Sequence, residues 1–142
     1  MVRNQLMCEA DFPTEPEWDA TGWRQVHPAG RELTEFLRTL LLDRTTEMTQ
    51  AWNNDDYGCS FNCEWDRVPI NVLVMRVMDH WLIICSHLSL LLRFLRPRRY
   101  AAALSAMCYH LGRAVRSDSR FRDVRWFTYE EYERAERARW RR

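Results

Sequence analysis

The chain has 142 residues, 46% of them hydrophobic, with seven Trp but only four Gly and five Pro. That composition excludes global disorder, and it argues against a turn-rich β-sandwich or barrel. Formal net charge is +1, yet residues 1–92 hold seven basic residues against 14 acids, and residues 93–142 hold 14 against six. All 21 basic residues are Arg.

Residues 1–30 read as an irregular N-terminal arm, because Pro13, Pro16, Pro28, Gly22 and Gly30 punctuate it. Phe12, Trp18 and Trp23 are expected to dock it onto one α-helical domain spanning residues 31–142. Residues 31–52 predict an amphipathic helix, with Leu33, Phe36, Leu37, Leu40, Leu41, Met48 and Trp52 on one side. The run from Asn53 to Gly58 then predicts a turn. Asp66 and Pro69 suggest a helix start. Residues 67–95 are apolar on nearly every side, which predicts a buried central helix. The stretch from Trp81 to Leu92, 12 residues without a formal charge, is too short to span a bilayer. Beyond Pro97, residues 98–116 give a second helix with a narrow apolar face. Residues 117–127 read as a loop, and Thr128 with Glu131 forms a capping box for a last helix. The fold expected from this pass is all-α, a compact helical bundle around a central hydrophobic helix.

Five Cys without a preceding apolar leader point to reduced thiols in an intracellular setting, cytoplasm or nucleus. His80, Cys85, Cys108 and His110 could be picked out as a zinc set. Cys85 and His87, like Cys108 and His110, would sit about 200° apart on a helix, and buried core side chains account for them more simply. There is no nucleophile elbow and no Gly-rich phosphate loop, so the expected function is non-enzymatic and needs no cofactor. Arg93, Arg96, Arg98 and Arg99 form a basic patch suited to phosphate, though the acidic first half opposes general nucleic-acid affinity.

Trp65 and Arg67, followed by the apolar stretch, together with Leu37-Arg38 and Asp43 upstream, resemble the viral Bcl-2-like apoptosis regulators. The resemblance implies a helical hydrophobic groove lined by Leu37, Leu41, Val72 and Met75, with Trp65 and Arg67 at one end. Arg67 would pair with the Asp of a bound amphipathic helix. The expected function is then that of a virus-type accessory protein binding a host protein, in the manner of an inhibitor of apoptosis. Two alternatives remain open. One is a ubiquitin-ligase adaptor that spares itself by lacking Lys, the residue to which ubiquitin is attached. The other is an Arg-rich nucleic-acid binder.

Overall fold

The structure, a computed structural model, describes residues 2–49, 52–53 and 58–141. The chain runs β1 (Gln5–Ala10), β2 (Glu17–Trp18), β3 (Gln25–His27), α1 (Arg31–Leu41), β4 (Trp52–Asn53), β5 (Cys59–Trp65), β6 (Val68–Val77), β7 (His80–His87), α2 (Leu90–Leu95), α3 (Pro97–Arg116), β8 (Phe121–Phe127) and α4 (Tyr129–Trp140). Six strands form one antiparallel sheet in the order β4-β5-β6-β7-β1-β8, and β2 pairs with β3 separately. The all-α expectation is therefore wrong: this is a mixed α/β fold.

The largest correction falls on residues 67–95. They are a β-hairpin and a short surface helix instead of one central helix. Along β6, Val68, Ile70, Val72 and Val74 are buried on one face, the period of a strand. β-branched Val and Ile suit that pleated surface. Leu73 and Met75 occupy the other face and are partly covered, so the alternation is hidden in the sequence behind uniform apolarity. Two-residue turns close both hairpins. Trp65 pairs with Val68 around Asp66-Arg67, and Val77 pairs with His80 around Met78-Asp79. Asp66 and Arg67 both take positive φ, 49° and 63°, as a twist-matched hairpin turn requires.

Three further expectations change. Residues 5–10, assigned to the irregular arm, are an interior strand paired with β7 on one side and β8 on the other. Residues 121–127, read as loop, are β8. The helix expected over 31–52 ends at Leu41, and Met48 instead bridges to Cys63 of β5. The turn expected at 53–58 lies mostly outside the described residues.

α1 and α3 pack on the sheet face that carries Leu6, Phe61, Ile70, Val72, Val74, Trp81 and Ile83. α1 buries Leu33, Leu37 and Leu41, one residue per turn. α3 buries Leu104, Met107, Cys108, Leu111 and Val115 at the same helical spacing. Gly30 caps α1 at φ 102°, where a side chain would be strained and a Cβ would lie 3.0 Å from the Trp81 ring. α4 begins with the capping box read from the sequence, Thr128 Oγ accepting from Glu131 N and Glu131 accepting from Thr128 N. Among the described residues no helix is long and apolar enough to cross a membrane.

Candidate functional site

The sheet removes the helical groove that the sequence suggested. Leu37, Leu41 and Val72 are wholly buried in the core and meet no solvent. Met75 sits on the opposite sheet face from Val72 and Val74. Arg67 is exposed at the tip of the β5–β6 turn, while Trp65 packs against His110 at a ring separation of 5.5 Å. These residues line no common groove.

The zinc quartet is likewise dispersed. His80 Nδ1 lies 3.3 Å from Asp79 Oδ1, and its Nε2 shares a hydrogen bond of 2.9 Å with the Tyr132 hydroxyl. His110 Nε2 donates to the Leu40 carbonyl at 3.2 Å. Only Cys85 and Cys108 meet, as hydrogen-bonding neighbours, and Cys63 adds to the electrostatic cost of ionising Cys85. The hydrogen bond with the Cys108 thiol, and then burial, push the Cys85 thiol well up. Burial alone pushes Cys63 up to about 12. All five cysteines are buried and none forms a disulfide. Among the described residues no group of three His, Cys, Asp or Glu side chains is placed to hold a metal ion.

The basic patch leads to a different surface. Ser89 caps α2 by accepting from Leu92 N, and Arg96 N closes its end on the Leu92 carbonyl at 2.9 Å. Pro97 then opens α3, at the helical position where the missing N–H costs nothing. This corner lifts α2 off the core. None of its residues is buried: Leu90 is 72% exposed, Leu91 68% and Phe94 82%. Five large apolar residues on six positions, all facing solvent, form the kind of contiguous patch that marks an interaction site.

Beside that helix lies a groove of about 820 Å³. Leu90, Arg93 and Phe94 of α2 form one wall. Pro97, Ala101 and Leu104 of α3 form the other, with Val2, Asn4, Ser86 and His87 on the floor and Tyr129 at one end. The floor is held firmly. Asn4 Nδ2 donates to the Cys85 carbonyl at 2.7 Å, and His87 Nε2 donates to the Tyr100 carbonyl at 2.8 Å. Among the described residues no carboxylate lines the groove. No acidic residue occurs between Asp79 and Asp118.

No family model, curated protein or solved structure matches this chain.

Around the groove, Arg93, Arg96, Arg98 and Arg99 are all exposed, and among the described residues none of them makes an ion pair. Arg99 donates to the Asp66 carbonyl at 3.2 Å, which fixes the β5–β6 turn against α3 and leaves the charge uncompensated. Two other arginines of the basic half pair with acids of the first half. Arg122 pairs with Asp11 and Glu9, and Arg139 with Asp79. Sequence reasoning located the arginines and missed the apolar half of the surface, because Leu88–Leu95 continued the apolar run of the strand before it. The available signal was Ser89, a helix cap inside that run, with Pro97 soon after.

Proposed function

We propose that this chain is a non-enzymatic binding protein that engages a partner protein through α2 and the α2–α3 groove. The observation that carries the reading is the exposure of Leu90, Leu91 and Phe94 on a helix that buries nothing of its own. Such a surface costs solubility and contributes no core, so its value lies in a contact with another molecule. Aliphatic and aromatic anchors ringed by Arg are the usual composition of a contact centre. A duplex backbone would meet Leu90 and Phe94 as well as the arginines and would leave the apolar side chains unsatisfied.

The test is a pair of variants, Leu90→Ser and Phe94→Ser, compared with the parent chain for proximity labelling and cross-linking in cells. Because both side chains project into solvent, the variants are expected to keep the parent's circular dichroism while losing the specific cross-links. Retention of every cross-link by both folded variants would reject α2 as the contact surface.

A further inference from the structure

We infer that the α2–α3 groove receives an acidic amphipathic helix of the partner protein, an inference that rests on the binding role proposed above. Three observations point to this occupant. The groove has a linear apolar wall: Pro97, Ala101 and Leu104 fall four and three residues apart on one stripe of α3. That stripe spans about 10 Å at 1.5 Å per residue, the length over which a facing helix presents side chains at i, i+3 or i+4, and i+7. Leu90 and Phe94, one turn apart on α2, line the same groove.

The second observation is charge. Arg93 stands in the wall, and Arg96, Arg98 and Arg99 follow at the α2–α3 corner, without an ion pair among the described residues and without an acid in the lining. Carboxylates on the flanks of a bound helix complete these arginines, and guanidinium–carboxylate pairs fix register as well as charge. The third is shape. A bilayer has no side chains with which to fill a concave groove of about 820 Å³, whereas the apolar ridge of a helix does.

The probe is a fluorescein-labelled designed helix with Leu at i, i+3, i+4 and i+7 and Glu on both flanks, titrated with the full-length chain by fluorescence anisotropy. A companion peptide carries Gln at every Glu. The Glu peptide is expected to bind at least about tenfold more tightly than the Gln peptide at low salt, and the gap to shrink as added salt screens the pairs. Phe94→Ser and Arg93→Glu are each expected to weaken the Glu peptide by about tenfold or more, as loss of a central anchor does. Arg137→Glu on the remote α4 should leave it unchanged.

Equal binding of the two peptides, or no binding of either, overturns the inference. So does saturable binding to phosphatidylserine vesicles or to single-stranded RNA in place of the Glu peptide, or self-association in sedimentation that Phe94→Ser abolishes. The two readings fail separately. Loss of cellular cross-links in Phe94→Ser with no affinity for the Glu peptide keeps the binding role and rejects the acidic helix. Cross-links that all survive both Leu90→Ser and Phe94→Ser remove both.

Discussion

Trp126 and Gly112 show how little room the core leaves around individual residues. A Cβ on Gly112 would come within 2.6 Å of Trp126 Nε1, and one on Gly58 within 2.1 Å of the Val74 carbonyl oxygen. Trp126 is a side chain that can shift, whereas Val74 offers backbone, and Gly58 also sits at φ 132°. Gly112→Ala is therefore expected to cost about 1–3 kcal/mol through overpacking, and Gly58→Ala to cost more, measured by urea unfolding. The thiols make a second prediction at this scale. Burial holds Cys8 and Cys63 neutral in the folded chain up to about 12, from an ordinary 9.0. Above pH 9 the unfolded chain ionises these thiols and the folded chain does not. Stability is thus fully present below pH 9 and falls as pH rises towards 12. The urea midpoint should drop between pH 8 and pH 10.5, and drop less in Cys8→Ala/Cys63→Ala measured against its own value at pH 8. In native conditions a thiol reagent should titrate almost none of the five cysteines, and all of them in denaturant.

Among the elements, α3 and α4 were legible in the sequence and the sheet was not. α3 shows its period because only one side of it is apolar, and α4 announces itself through Thr128 and Glu131. The β6–β7 hairpin concealed itself in two ways. Leu73, Met75, Leu82 and Ile84 make its second face apolar too, which erased the alternation that identifies a half-exposed strand. The turns at the two ends of β6, Asp66-Arg67 and Met78-Asp79, contain no Gly, so the strongest hairpin signal was missing. The density of Val and Ile was the remaining clue. α4 is tied to the sheet by few contacts: Tyr132 to His80, Arg139 to Asp79, and Glu131 to Arg3. Tyr132→Phe takes the hydrogen-bond partner from Nε2 of buried His80 and should cost about 1–3 kcal/mol. Thr128→Ala removes the cap and should cost about 1 kcal/mol. Both losses are expected to appear first as faster amide exchange across residues 129–140, with the β5–β6–β7 amides still protected.

At the scale of the whole molecule, charge is sorted by use. Acids of the first half meet arginines of the second at Arg122 with Asp11 and Arg139 with Asp79, so part of the asymmetry in the sequence is consumed internally. Among the described residues the arginines around α2 enter no such pair. Replacing Leu90 and Phe94 together with Ser should leave unfolding free energy within about 0.5 kcal/mol of the parent, as expected where no core contact is lost. The same double variant should raise the concentration at which the protein stays monodisperse, read by light scattering.

The position of β1 sets an order of events for a growing chain. Residues 5–10 are made before both of their partners, residues 81–84 on one side and residues 121–127 on the other. β1 has no neighbour until β7 is made, and β7 presents an unpaired edge until β1 reaches it. Contacts that distant in sequence slow folding, because a long loop must close before any pairing rewards it. Nascent chains arrested before residue 121 emerges should therefore expose the β1 edge that β8 later covers to chaperones and to one another. The sheet closes only when the last strand arrives to hold the first.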